Sequence, residues 1–377
     1  MASRDAAERH GLMLLLVAAG VVLFWPLPYI GAIHPPNELT RVYQTRAIVD
    51  DGVLYVDGQI RRFGPLFDLA YAGGHHYPNK APGVSLLGVP VYAAYRALVG
   101  REPSLKETVL VLEKVLLGVP TLLLLGLLWR SCRRAVPSPW ARFAALVAYT
   151  FGSTALPYAL LLYGHQLAAA LLFSGFVAYR RGVEGDAAGF IALGGLSQGV
   201  ALLVEYTVAP AVLLTALYAV LSGRPGLRRA AARAGAGLAG ALIPVGALLL
   251  YHQAAFGSPF ATGYDFVESP ALRAIHKQGW LGVHLPRIGW LAQSLFSGRG
   301  LLTLMPWVGV ALVGGLCWVL RGRVRGALGA SPSAPVGSAR PSGSWVELAV
   351  AGLYVLFAAS WDPGVWGWVA GPRHLVP

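Results

Sequence analysis

Long apolar runs recur along the whole of this 377-residue chain and constrain its fold more than any other feature. A membrane-spanning helix needs about 20 mostly apolar residues. Several runs are shorter, but flanking small or aromatic residues extend them to about that length. The runs cover residues 11–31, 115–128, 141–162, 167–178, 187–204, 206–221, 236–250, 301–320 and 346–359. The pattern predicts an all-α fold, a polytopic transmembrane helical bundle.

Composition supports this class and excludes others. The chain is 56% hydrophobic and only 12% charged, and its mean hydropathy is +0.58, which excludes an ordinary soluble domain. Its net charge of +13 falls mainly in loops between the runs, where anionic lipid headgroups account for it. The sequence contains no nucleic-acid-binding module, so we expect membrane lipids and no nucleic acid as partners.

Basic residues precede the first apolar run and follow alternate later runs, which predicts the orientation. Arginine and lysine near span ends are retained on the cytoplasmic side of a membrane. The alternation therefore predicts a cytoplasmic N-terminus and a multi-pass protein of a bacterial-type plasma (inner) membrane. The arginines concerned are Arg4, Arg9, Arg130, Arg133, Arg134, Arg180, Arg181, Arg224, Arg228, Arg229, Arg233, Arg321, Arg323 and Arg325.

The run from Gly83 to Leu98 is interpreted differently. It contains Pro90 and spans only 16 residues, and counting it as a span would invert every later loop. We therefore expect a juxtamembrane helix, interfacial or re-entrant, inside a long first extracytoplasmic loop from about Ala32 to Lys106.

Three regions are predicted along the chain. Residues 1–320 form a transmembrane module of about eight spans. Residues 321–344, rich in Ala, Gly, Ser, Pro and Arg, form a disordered cytoplasmic linker. Residues 345–377 begin a C-terminal transmembrane part that we expect to be truncated, because the chain stops as a new apolar run begins.

The first loop concentrates chemistry-bearing residues. Five of the chain's seventeen acidic residues lie in its segment 34–83, namely Glu38, Asp50, Asp51, Asp57 and Asp68. A helix beginning after Pro35-Pro36, with Asn37 as its N-cap, would present Glu38, Arg41 and Thr45 on one face. Taken alone, this spacing fits an exposed ion pair worth under about 1 kcal/mol.

Lys80 changes that interpretation. It follows Tyr77-Pro-Asn and lies just before the interfacial helix, which places its amine at headgroup depth. A lone amine there is suited to a phosphate oxygen of a lipid.

Three motifs follow the first span in this order: Glu38-Leu-Thr-Arg41, Asp50-Asp51-Gly52 and Tyr77-Pro-Asn-Lys80-Ala-Pro. Together they resemble the first outer loop of GT-C superfamily membrane glycosyltransferases. The branch most similar contains lipid A aminoarabinose transferases and protein O-mannosyltransferases. The predicted topology resembles it too. The chain departs from the pattern where Glu38 stands for the family's aspartate and Ala81 for a proline.

The resemblance implies an inverting glycosyltransferase that moves a sugar from a polyprenyl-phosphate-linked donor to a lipid, glycan or protein acceptor on the extracytoplasmic face. It implies Glu38 as the base, Arg41 as its orienting group or a phosphate contact, and Lys80 as the phosphate anchor. Further substrate-binding candidates lie at outer span ends, namely His165, Tyr264, Arg299, Arg373 and His374. The resemblance implies no particular cofactor, and dependence on a divalent cation stays open.

Two alternatives come from other classes. A transporter or lipid flippase predicts ionisable residues deep within spans and broken helices. A GT-C-like scaffold without activity is the other alternative. Two segments match catalytic motifs in sequence: Gly235–Gly240 matches G-x-G-x-x-G, and Gly195–Gly199 matches G-x-S-x-G. Both segments belong to apolar spans without a preceding strand, so helix packing is their expected role.

Overall fold

The computed structural model describes residues 2–25, 35–133, 136–223, 226–270, 273–274, 283–327 and 344–361, which are mostly helical. The helices are α1 (Ala2–Phe24), α2 (Pro36–Arg46), α3 (Asp57–Phe63), α4 (Gly83–Val99), α5 (Leu105–Glu113), α6 (Val119–Cys132), α7 (Pro139–Phe151), α8 (Ala155–Ala159), α9 (Gly164–Glu184), α10 (Ala188–Val204), α11 (Ala209–Leu221), α12 (Leu227–Phe256), α13 (Ile288–Phe296), α14 (Leu301–Leu304), α15 (Pro306–Ala327) and α16 (Ser344–Ala359). Two strands, β1 (Leu69–Ala72) and β2 (His75–Pro78), form a hairpin.

Three helices among the described residues are long and apolar enough to cross a membrane: Ala6–Phe24, Leu105–Cys132 and Leu227–Phe256. A π-helical turn, Lys114–Gly118, joins α5 and α6 into the second of them. Other apolar helices are shorter, including α4, α10, α11 and Trp345–Ala359. The membrane-protein class is supported at this level, and the count of about eight spans stays a prediction.

Two predicted spans are interrupted in the structure. The apolar run 141–162 divides into α7 and α8, because α7 ends at Gly152. The run 301–320 is also bent, since Ile288–Leu304 and Pro306–Cys317 meet at 93°. Pro306 lacks an N–H donor and starts a new helix rather than continuing the old one. This last helix extends to Ala327, so residues 321–327 of the predicted linker are helical.

Helices α9, α10 and α12 form the best-packed layer of the bundle, where glycines allow close backbone approach. A Cβ on Gly195 would collide with the carbonyl of Gly237, and one on Gly240 would collide with the carbonyl of Ala192. Both apparent catalytic motifs therefore serve helix packing, as their context within apolar runs predicts.

Helix α2 begins at Pro36, one residue before the predicted N-cap Asn37. Pro35 occupies the N-cap position, and proline at the first helical position loses no hydrogen bond. The helix then continues into a π-helical turn, Ala47–Asp51, which ends at Gly52 with a φ of 70°. All side chains from Thr40 to Arg46 are buried, so α2 is a core element rather than an exposed amphipathic helix.

Buried Arg46 fixes α2 to the start of the second long helix. Its guanidinium donates to the carbonyl of Pro103 at 2.6 Å and to Thr108 Oγ1 at 3.1 Å, and it pairs with Glu102. It also lies 3.6 Å from Asp50 in the π-helical turn. This network positions the face of α2 that carries Glu38 and Arg41.

The hairpin β1–β2 is a feature that the all-α prediction lacks. Gly73 and Gly74 form its two-residue turn with φ angles of 57° and 86°, the left-handed backbone that such hairpins require. The N–H of Asn79 donates to the carbonyl of Asp68 at 3.2 Å and extends the pairing by one step. On the other side of β1, Val267 bridges to Ala70, so the segment after α12 joins the hairpin.

The bundle has two chemically distinct ends. One end contains α2, the hairpin, the N-terminus of α9 and the C-termini of α10 and α12. At the opposite end, arginines surround the C-termini of α6 and α9 and the N-terminus of α12, and we call this the basic end: Arg9, Arg130, Arg133, Arg180, Arg181, Arg228, Arg229 and Arg233. The predicted basic segments at the start of α1, at the ends of α6 and α9 and at the start of α12 therefore share one end of the fold.

Candidate functional site

Glu38 lies on the buried face of α2. Its side chain is fully enclosed, and its Oε1 accepts a hydrogen bond of 2.8 Å from the N–H of Leu162, which precedes α9. An exposed surface ion pair, the simplest interpretation of the sequence spacing, is therefore wrong for Glu38. A carboxylate held in the interior by a backbone amide is in a position to act on chemistry shielded from water.

Arg41 lies one helical turn beyond Glu38 and is 3% exposed. One terminal nitrogen donates to the carbonyl of Asn37 at 2.6 Å and to the Asn37 side chain, while Nε has no hydrogen-bond partner among the described residues. Burial lowers the pKa of Arg41, and the charges of Glu205 and Asp68 and the phenols of Tyr264 and Tyr163 partly offset that effect. The guanidinium remains a cation with an unused donor, because arginine does not deprotonate in proteins.

Lys80 lies just before α4, as the sequence predicts, and it follows the unpredicted hairpin. Its Nζ lies 3.6 Å from Asp68 Oδ1 and 5.3 Å from the centre of the Tyr264 ring. Tyr264 belongs to the short 3₁₀ helix Gly263–Phe266. The Lys80 and Asp68 side chains are 12% and 20% exposed, so this is the more open side of the cluster. The amine is oriented by a carboxylate and an aromatic face together.

Asn79, next to Lys80, is fully buried, and neither its amide oxygen nor its amide nitrogen has a hydrogen-bond partner among the described residues. Gly263 presses against its backbone, since a Cβ there would lie 2.6 Å from Asn79 Cα. Leaving a buried polar group without a partner costs about 1–3 kcal/mol. An amide in this state offers a donor and an acceptor to a ligand.

His165 begins α9 beside the C-terminus of α10. Its Nδ1 lies 3.4 Å from Glu205 Oε2, and both side chains are buried. Gly164 makes this contact possible, because a Cβ there would lie 2.8 Å from the carbonyl of Val204. Thr207 Oγ1 also donates to Glu205 at 3.3 Å. The break between α10 and α11 thus supplies a second interior carboxylate with a histidine.

Aromatic rings enclose this arrangement. The His165 ring contacts those of Tyr158 and Tyr163, with centroids 5.1 Å and 6.3 Å away. On the other side, the rings of Tyr206 and Tyr264 lie 6.1 Å apart, and the Tyr206 hydroxyl bonds His252 Nε2 at 2.7 Å. Such rings restrict water and present faces on which a sugar or an apolar chain can pack.

These contacts connect four separate parts of the chain, residues 38–41, 68–80, 162–165 and 205–264. We call the ionisable residues that they bring together the charged cluster, defined as Glu38, Arg41, Asp68, Lys80, His165 and Glu205. Tyr264 and Asn79 border it. The cluster combines buried carboxylates with two basic side chains, and one of these, Arg41, has a donor that no described residue bonds. It can accept a proton, orient a hydroxyl and bind an anion.

The predicted site residues divide into three groups. Glu38, Arg41, Lys80, His165 and Tyr264 come together in or beside the cluster. Arg299 instead lies exposed in the turn between α13 and α14. Two further residues, Arg373 and His374, lie outside the described residues.

Sequence reasoning did not assign three residues that the structure adds to the site: Asp68, Asn79 and Glu205. Glu205 carries the clearest signal, as the one acid that interrupts apolar sequence from Ala188 to Leu221. Nothing in the local sequence distinguishes Asn79 as buried. As for metals, no three His, Cys, Asp or Glu side chains in the described part of the chain are placed to share an ion.

No protein-family model matches the chain, and the searches of curated proteins and of solved structures found no significant match.

Proposed function

We propose that the protein is a membrane glycosyltransferase that moves a sugar from a polyprenyl-phosphate-linked donor to an acceptor on the extracytoplasmic face of a bacterial-type plasma membrane. The observation that carries the proposal is the convergence of a buried carboxylate, an incompletely bonded arginine and an oriented lysine from distant parts of the chain. Transfer from a phosphate needs these three groups. A base acts on the acceptor hydroxyl, and cations stabilise negative charge on the leaving phosphate.

Glu38 is the proposed base. The Leu162 amide fixes one of its oxygens, and the enclosed position removes the competing water that would hydrolyse the donor. Attack by the acceptor from the side opposite the departing phosphate gives inversion of configuration, as in inverting glycosidases with their separate base.

Arg41 and Lys80 are the proposed phosphate contacts. Arg41 contributes an Nε without a partner among the described residues, in a buried setting where a charge-assisted hydrogen bond is about twice as strong as a neutral one. Lys80 contributes a more accessible amine that Asp68 and Tyr264 orient. The donor phosphate enters from this more open side, and its charge draws Lys80 away from Asp68.

Asn79, Glu205 and His165 are the proposed contacts to hydroxyl groups. A sugar hydroxyl both donates and accepts, and the Asn79 amide, which has no partner in the described part of the chain, offers both functions. The His165 and Glu205 pair, close to the Leu162 amide that binds Glu38, is placed to orient the acceptor. A site that hydrogen-bonds a hydroxyl discriminates strongly against analogues that lack it.

The proposal is tested by sugar transfer in membranes that contain the full chain, with a radiolabelled polyprenyl-phosphate sugar as donor. Glu38→Gln keeps size and helix geometry but cannot accept a proton, so transfer falls by roughly 10² to 10⁴. Glu38→Asp recovers part of the loss. Glu268→Gln, which removes an exposed carboxylate beyond the cluster, serves as the matched control and retains activity. Equal transfer by wild type and Glu38→Gln would refute the base assignment.

One observation favours the transporter or flippase alternative. Glu113 is 2% exposed and lies at the end of α5, immediately before the π-helical turn of the 28-residue helix Leu105–Cys132. Buried ionisable residues and π-turns are frequent at transport sites. At 1.5 Å per residue, however, Glu113 lies only about 12 Å from the start of a helix about 42 Å long. Lipid translocation that depends on Glu113 but not on Glu38 would favour this alternative.

A further inference from the structure

A groove between α1 and α6 lies at the basic end, opposite the charged cluster. Its volume is about 700 Å³. Leucines of both helices form its walls, including Leu12 and Leu16 on α1 and Leu122 and Leu127 on α6. Gly126 lies on the α6 side, and a Cβ there would meet nothing within 4 Å, so the groove has open space at this point. The groove is apolar along most of its length and belongs to two helices that are able to cross a membrane.

Arginines close one end of the same groove, namely Arg9, Arg130 and Arg133. Glu8, the one acid among the described residues that line it, already pairs with Arg142 and lies 3.4 Å from Arg133. Arg9 and Arg130 are exposed and have no ion-pair partner among the described residues. The groove therefore ends in two exposed guanidinium groups that form no ion pair within the part of the chain that the structure describes.

We propose that this groove is a binding site for one anionic phospholipid. An acyl chain lies along the leucine walls, and the headgroup phosphate bonds to Arg9 and Arg130. Guanidinium groups suit phosphate oxygens because their planar donors bind them in pairs. Basic pockets between membrane helices on the cytoplasmic side bind acidic lipids in general. The site is separate from the charged cluster and does not depend on the proposed function.

The full chain, purified in mild detergent, is incubated with an equimolar mixture of phosphatidylglycerol and phosphatidylcholine, and retained lipid is counted by native mass spectrometry. Wild type retains one phosphatidylglycerol in preference to phosphatidylcholine. Each arginine contributes about fivefold to that preference. Arg9→Gln/Arg130→Gln therefore lowers it by more than tenfold, and excess inorganic phosphate does not displace the lipid, because phosphate alone cannot fill the apolar walls.

A second variant tests the groove without changing charge. Gly126→Leu fills the open space and lowers retention of phosphatidylglycerol while the arginines stay in place. Matched controls are Arg61→Gln/Arg62→Gln, with the same charge change near the cluster end, and Gly246→Leu, at another helical glycine with open space around it. Both controls retain the lipid.

Three results would overturn the proposal: equal retention of the two lipids by wild type, unchanged retention by both groove variants, or loss of lipid in the controls as large as in the variants. A dimer that Gly126→Leu dissociates would assign the groove to a second copy of the chain instead. Thermal melting of each variant separates loss of the lipid from loss of the fold.

Discussion

Asn79→Leu is expected to stabilise the protein without ligand while it weakens donor binding. Leucine has the same branched arrangement of heavy atoms as asparagine but no polar atoms. The Asn79 amide is fully buried and has no hydrogen-bond partner among the described residues. A buried amide without a partner costs about 1–3 kcal/mol of folding free energy, and the substitution recovers this cost. The greater bulk of the leucine methyl groups takes back part of that gain. The expected net gain in the free energy of unfolding is about 1 kcal/mol or more.

Asn37→Leu is the matched control. Asn37, on α2, is buried like Asn79, but its side chain accepts a hydrogen bond from Arg41. Removing that acceptor leaves a buried cation less well bonded, which costs about 1.5–3 kcal/mol. Thermal and denaturant unfolding in detergent therefore move in opposite directions for the two variants. An upward shift of about 2–4 °C is expected per kcal/mol gained, by analogy with domains of 150–250 residues.

Binding supplies the second part of this test. Asn79→Leu weakens binding of a polyprenyl-phosphate sugar by about five- to tenfold, the value of one hydrogen bond, and leaves bare polyprenyl phosphate unaffected. A destabilised Asn79→Leu would show that the amide is a structural element with partners of its own. If wild type bound neither lipid, the proposed function would fail, whatever the stability result.

The other predictions concern charge and topology. Lys80→Ala weakens binding of both glycosylated and bare polyprenyl phosphate, whereas Lys80→Arg keeps part of it, and unchanged binding by Lys80→Ala would exclude the phosphate contact. Glu205→Gln lowers transfer with little effect on donor binding, as a comparison of kcat with KM would show. Burial acts to raise the pKa of Asp57, but hydrogen bonds from the two histidines of β2 outweigh burial and hold that pKa below its usual range. The stability that Asp57 contributes is therefore complete above about pH 4 and is lost as the pH falls through the lowered pKa. Asp57→Asn removes this acid-dependent step from unfolding curves. Cysteines placed at Arg229 and Ser258 should label from opposite sides of the membrane, and labelling from the same side would contradict α12 as a span.

Local rules were enough to predict part of the site. The spacing of Glu38 and Arg41 and the position of Lys80 before α4 depend on helix periodicity and proline, which act over a few residues. The confirmed helices α2 and α4 follow from these rules. The burial of α2 does not, because it depends on contacts with the hairpin and with residues more than a hundred positions away.

Long-range contacts account for what the sequence did not reveal. The sequence analysis predicts no hairpin although Gly73-Gly74 is a turn signal, because the apolar composition of the chain favours helices. The Leu162 amide that binds Glu38 and the glycine that covers Asn79 lie far along the chain. Nothing near Glu38 or Asn79 in the sequence carries information about these partners.

The bridge between Val267 and the hairpin has a consequence for biosynthesis. Val267 pairs with Ala70, and the neighbouring Gly263 and Tyr264 complete the surroundings of Asn79 and Lys80. A chain made from its N-terminus therefore cannot finish this region until roughly 200 further residues have been synthesised. Before then, α2 carries charges that are buried only in the finished fold, so the nascent protein depends on water, headgroups or the insertion machinery to solvate them.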